Sequence, residues 1–75
     1  MYNISKNDSY KEEVKTIIGK LRFISDQLKL HMPGSLYCIA SNELADKLAP
    51  KVYNAGELVQ DVMNELLEVN DMLDE

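Results

Sequence analysis

Apolar residues in this chain fall into two long runs whose spacing alternates between four and three. The first is Tyr10, Val14, Ile17, Leu21, Ile24, Leu28, closing on His31. The second is Leu48, Val52, Ala55, Val59, Val62, Leu66, Val69, Leu73. A 4-3 alternation is the signature of a helix with one apolar seam facing another helix. Leu36 to Ala40 is a short apolar run that a buried strand would also produce. No second β-like run exists to pair with it, and an unpaired strand leaves its ladder groups unsatisfied. The spacing therefore predicts an all-α chain.

Local signals divide it. Ser9 and Glu12 have the spacing of a capping box, and Pro33-Gly34 reads as a stop after His31. Helix 1 is expected over residues 9–31. Ser35 is placed to cap a second helix over 35–49. Tyr37, Ser41, Leu44 and Leu48 step by 4, 3, 4, and joining them to the second seam puts two steps of four together at Pro50. A four-residue stutter and a proline at one place predict a kink or break there, with helix 3 over 50–74. The fold class is a helical hairpin or three-helix bundle with a long N-terminal helix and a Pro-Gly turn, one domain over residues 1–75, after a polar lead-in at 1–8. Helix 1 is about 35 Å long and an unbroken helix from Ser35 to Asp74 about 60 Å. Either the chain folds back at Pro50 or a partner covers the excess. Gly19, mid-helix and off the seam, reads as tolerated.

Composition narrows the function classes. At 75 residues the chain buries only about 60% of its unfolded surface, so packing against a partner is a natural source of stability. Cys38 is the only cysteine and His31 the only histidine, which excludes an internal disulfide and a closed zinc site. The scattered glycines make no phosphate cradle, and no cofactor is expected. Residues 1–10 lack an apolar leader core, and no stretch is apolar enough to span a membrane. The expected setting is cytoplasmic, with export without a cleavable signal left open. Net charge is −5. It is uneven: residues 1–31 carry six Lys/Arg against four Asp/Glu, and residues 32–75 carry two against nine. Such a chain is a poor ligand for nucleic acid or an anionic membrane surface.

Cys38 and His31 flank the expected turn, but Cys is commonly a small buried hydrophobe and a histidine suits a helix C-terminus. The carboxylates sit on a helix surface without a cleft to separate their pKa values. The chain is expected not to be an enzyme. Glu57, Asp61, Asn64, Glu68, Asp71 and Glu75 alternate 4-3 opposite the second seam, as a solvated face or as an anionic docking face. Large apolar residues also lie off the seams: Ile18, Phe23 and Leu30 on helix 1, and Leu58, Met63, Leu67 and Met72 near the C-terminus. Candidate partner-binding residues are therefore Phe23, Leu58 and Met63 on the apolar side, and Glu57, Asp61, Glu68 and Asp71 on the acidic side.

The stretch Met32-Pro33-Gly34-Ser35-Leu36-Tyr37 resembles the turn of the small helical-hairpin proteins of type VII secretion, the WXG family and the related LXG N-terminal domains. Met32-Pro33-Gly34 stands where they carry a large residue, any residue and Gly, and Pro50 is similar to a proline of the LXG second helix. The chain has no Trp and no C-terminal Tyr-x-x-x-Asp signal. The resemblance implies a bacterial helical hairpin that pairs with a second helical protein and accompanies secreted cargo. Small four-helix bacteriocin immunity proteins, which are longer and more basic, share the Pro-Gly break. The expected function is an acidic helical protein–protein interaction module, homo- or hetero-oligomeric through its seams. The alternative is a small acidic inhibitor, phage or mobile-element encoded or an immunity protein, that blocks a basic target.

Overall fold

A computed structural model describes residues 6–74. Residues 1–5 of the expected lead-in, and Glu75 of the acidic stripe, lie outside the described residues. The chain is a hairpin of two long helical arms, with no strand among the described residues. The first arm is α1 (Lys6–Asp26), a π-helical turn (Gln27–His31) and α2 (Met32–Ile39), which follow one another without a gap. The second arm is α3 (Asn42–Leu73). Each arm is roughly 50 Å long at 1.5 Å per residue.

The reversal falls at Ala40–Ser41, not at Pro33-Gly34. Both residues are extended, Ala40 at φ −132°, ψ 164° and Ser41 at φ −62°, ψ 154°. Ser41 is the N-cap of α3: its hydroxyl accepts from the Leu44 amide at 3.2 Å, and Glu43 follows in the first turn, where a carboxylate suits the helix dipole. Pro33 does not stop the first arm because the π turn precedes it. There the Met32 amide donates to the Gln27 carbonyl, five residues back. The extra residue resets the backbone so that Pro33 enters near the start of α2, where its missing N–H and fixed φ cost little. The expected caps are displaced accordingly. Ser9 lies inside α1, and Ser35 lies inside α2 with its hydroxyl donating back to the His31 carbonyl at 3.1 Å.

Nor does α3 break at Pro50; helix continues through it. Pro50 is exposed and removes one amide, while the α3 face is packed on both sides of it. That packing also removes the stutter. The face of α3 turned inward is Ala45, Ala49, Val52, Gly56, Val59, Met63, Leu66, Asn70 and Leu73, all buried or half-buried and spaced 4-3 without interruption. On α1 the inward face is Lys11, Val14, Ile18, Leu21, Ser25 and Leu28. Each expected seam shares every second residue with the observed one and misses its alternates by one position: Ile18 for Ile17, Ser25 for Ile24, Met63 for Val62, Asn70 for Val69. A residue advances about 100° around a helix, so the observed interface is turned by roughly half that from the expected seam.

Val14, Ile18 and Met63 form the core, with Leu21 and Leu66 packed against it. Two polar side chains bracket it. Ser25 Oγ, buried, donates to the Gly56 carbonyl at 3.0 Å. Asn70 Nδ2 donates to the Lys11 carbonyl at 3.4 Å. The two bonds sit fourteen residues apart on each arm, about 21 Å, so both report one register between the helices.

Candidate functional site

The hairpin has two broad sides of unlike chemistry. On one, the first arm presents Lys15 and Arg22 from α1 and Lys29 from the π turn, at seven-residue intervals, and α3 presents Tyr53, Gln60 and Leu67. Lys29 is the best-held of these. Its ammonium lies 2.9 Å from Gln60 Oε1, 3.4 Å from Glu57 Oε1 and 5.4 Å from the centre of the Tyr53 ring. This reach exists because Gly56 lets the arms approach. A Cβ on Gly56 would stand 2.4 Å from Lys29 Cγ and 3.2 Å from Leu28 Cβ. A Cβ on Gly19 would meet nothing within 4 Å, which bears out the reading of Gly19 as tolerated. Nearer the open end, Lys11 pairs with Asp74. A shallow groove of about 400 Å³ lies there between Lys15, Arg22 and Ile18 on α1 and Leu67, Asn70 and Asp71 on α3. Asn70 Oδ1 is buried beside it without a hydrogen-bond partner among the described residues.

The other side is apolar. A helix running the opposite way turns the opposite way in space, so the residues one position before each inward stripe fall on the same side of both arms. These are Tyr10, Ile17 and Ile24 on α1, and Leu48, Ala55, Val62 and Val69 on α3. Tyr10 is 54% exposed, Ile17 42%, Ile24 44% and Val62 50%. They are the very residues by which the expected seams differ from the observed interface. The apolar pattern of each helix is thus three positions wide per heptad, the width of a bundle helix, whereas a hairpin contact uses two.

The other candidates fall in separate places. Met63 is buried in the core and is not available for docking. Phe23 and Leu58 are about two-thirds exposed; Phe23 faces outward from α1, whereas Leu58 lies on the outer edge of the apolar side, one turn before Val62. Glu57 is engaged by Lys29. Asp61 and Glu68 are exposed on the outer face of α3, and Asp71 borders the groove. Cys38 and His31 share the first arm, seven residues or about 10 Å apart along it. His31 Nε2 instead lies 3.3 Å from the Ser35 hydroxyl. At the tip, the Tyr37 hydroxyl donates to Asp46, and that bond, with smaller contributions from desolvation and from the carboxylate charge, raises the phenol above its ordinary pKa of 10.0. Among the described residues no group of three His, Cys, Asp or Glu is placed to hold a metal ion, and no helix is long and apolar enough to cross a membrane.

Comparison with family models, with curated proteins and with solved structures gave no match to this chain.

Proposed function

We propose that this chain is a protein–protein interaction module whose binding surface is the apolar side of the hairpin. The observation that carries the reading is the half-exposure of Tyr10, Ile17, Ile24 and Val62 on one face of a molecule only 12 Å thick. Two helices alone cannot bury a three-position stripe. Contiguous exposed apolar area of this kind marks an interface. The excess of seam runs sideways: with both arms of nearly equal length, none is left over lengthwise.

A secretion-associated role as partner of a second helical protein rests on the hairpin shape alone, because Met32-Pro33-Gly34 lies within the first arm and not at the turn. The alternative of an acidic inhibitor has less support, since Glu57 is already paired within the chain. The test is capture from cells of the source organism with wild type and with Ile17→Gln/Ile24→Gln/Val62→Gln. Binding should be lost in the triple variant while circular dichroism stays helical, because these positions carry little of the hairpin's own core. Equal capture by both proteins would reject the apolar side as the binding surface. Loss of capture at high salt, with the triple variant unaffected, would instead favour acidic docking.

A further inference from the structure

Resting on that reading, we propose that the occupant of the apolar side is a second copy of this chain, packed face to face so that α1 of each copy lies on α3 of the other and both hairpin tips point to the same end. Three observations support this arrangement. The first is size. The molecule extends 62 Å by 20 Å by 12 Å, so a second hairpin laid along this side overlaps it over an outline on the order of the ~800 Å² per partner of a standard stable interface. A second hairpin of the same length covers it from end to end, and the pair becomes a four-helix bundle with helices three apolar positions wide.

The second is shape. The bonds Ser25–Gly56 and Lys11–Asn70 fix which residues of α1 and α3 stand at the same height. A twofold axis parallel to the helices preserves those heights across the new interface. It sets Tyr10 of one copy near Val69 of the other, Ile17 near Val62, and Ile24 near Ala55, larger side chains against smaller ones at each level. An axis across the helices sets α1 against α1 and α3 against α3. The bulky residues of α1 then meet one another, and the smaller Ala55, Val62 and Val69 of α3 are left to meet one another.

The third is charge. Residues 6–31 hold six Lys/Arg against four Asp/Glu, and Asn42–Leu73 holds two against seven. Packing α3 on α3 brings two strongly acidic helices together. Packing α1 on α3 places the basic arm beside the acidic one in both halves of the dimer, the complementary choice.

Two measurements test the proposal on the intact chain. Sedimentation equilibrium across the micromolar range should give twice the 8.6 kDa chain mass, and the Ile17→Gln/Ile24→Gln/Val62→Gln variant should raise the dissociation constant at least about tenfold. Cys38 is exposed, close to the tip and the only cysteine, so one spin label per copy reports the arrangement. Tips at one end put the labels two or three helix spacings of 8–10 Å apart, on the order of 20–30 Å. Tips at opposite ends put them about one arm's length apart, roughly 50 Å. A dimer with the short distance supports the proposal, and a dimer with the long distance overturns the arrangement. A monomer at every concentration overturns the second copy as occupant. The apolar side as a binding surface is judged separately, by whether the triple variant loses its captured partner.

Discussion

The two sides of this hairpin are built from the same two helices, yet one is closed and the other open. On the Lys29 side, long cationic side chains lie across the joint between the arms. Gly56 brings the backbones close enough for Lys29 to reach Gln60, Glu57 and the Tyr53 ring, and Lys11 and Asp74 tie the far end. Such side chains shield apolar surface with their stems while keeping charge in water. On the opposite side the equivalent positions hold Tyr10, Ile17, Ile24 and Val62, each about half exposed. A chain that needed only a stable hairpin would do well with lysines on both sides. On the function proposed above, one side serves the hairpin and the other is the surface offered to a partner.

Adjacent isoleucines give the sharpest test. Ile18 is buried in the core and Ile17 is nearly half exposed on the open side. Ile18→Ala should lower unfolding stability by about 2–4 kcal/mol whatever the protein concentration, as buried large-to-small changes do. Ile17→Ala should cost less than about 1 kcal/mol at low concentration and more as concentration rises, because its loss falls on the associated state. Urea unfolding at two concentrations separates them. Equal, concentration-independent losses would erase the distinction between the sides. The same reasoning makes Val62→Ala mild, although Val62 stands mid-seam in the sequence.

That pair also shows what the sequence could reveal. The helical content and the shared seam residues Val14, Leu21, Val52, Val59 and Leu66 are plain from 4-3 spacing. Which flank of the stripe turns inward is not, because both flanks look acceptable: one offers Ile17, Ile24, Val62 and Val69, the other Ile18, Ser25, Met63 and Asn70. Hydrophobicity favours the first. The fold takes the second because Ser25 and Asn70 reach carbonyls of the opposite helix, and because Gly56 and Ala45, poor seam residues by bulk, allow close approach. The turn was obscured for a similar reason. Pro33-Gly34 is a strong local stop, and only the π turn before it carries the helix past. The true signal, Ser41-Asn42-Glu43 as an N-cap and acidic first turn, lay in plain view but fitted the seam spacing as well. The width of the apolar stripe was legible, but not which part of it the hairpin leaves open.

Gly56 and Gly19, one in each long helix, give the next effect in size. Gly56→Ala gains about 1 kcal/mol of helix propensity but forces a Cβ into Lys29 and Leu28. Overpacking of that kind costs about 1–3 kcal/mol, so the net change should be destabilising, and Lys29 should lose its hold on Gln60. Gly19→Ala meets open space and should stabilise by up to about 1 kcal/mol. Thermal unfolding of both variants checks the opposite signs. A stabilised Gly56→Ala would mean that the arms are not held close on the lysine side.

The outer face of α3 should matter less still. Changing Glu57, Asp61, Glu68 and Asp71 together to Gln removes one ion pair with partly exposed members and relieves repulsion among like charges. Unfolding stability should move by no more than about 0.5 kcal/mol. If partner association slows in this variant and its salt dependence flattens, the acidic face takes part in docking. Unchanged rates at both low and high salt leave the apolar side as the binding surface.

The smallest effect expected is at the tip, where the two sides meet. Tyr37 donates its phenolic proton to Asp46, and the acceptance of that bond by a carboxylate is the main reason its pKa lies above 10.0. A group whose pKa is raised on folding contributes its stabilisation while it keeps its proton. The contact is therefore intact at neutral pH, and it is lost as pH rises through the raised pKa. Tyr37 lies in the open, so the contribution to overall stability is slight and the signature is spectroscopic. The absorbance of tyrosinate, taken as wild type minus Tyr37→Phe, should titrate above pH 10, and Asp46→Asn should move that midpoint down by removing both the charged acceptor and its field. An unmoved midpoint in Asp46→Asn would show that α2 and α3 are not joined by this bond. The two-residue reversal at Ala40–Ser41 would then rest on the Ser41 cap, the packing of Ala45 and the backbone bonds Ala40–Leu36 and Ala45–Ser41.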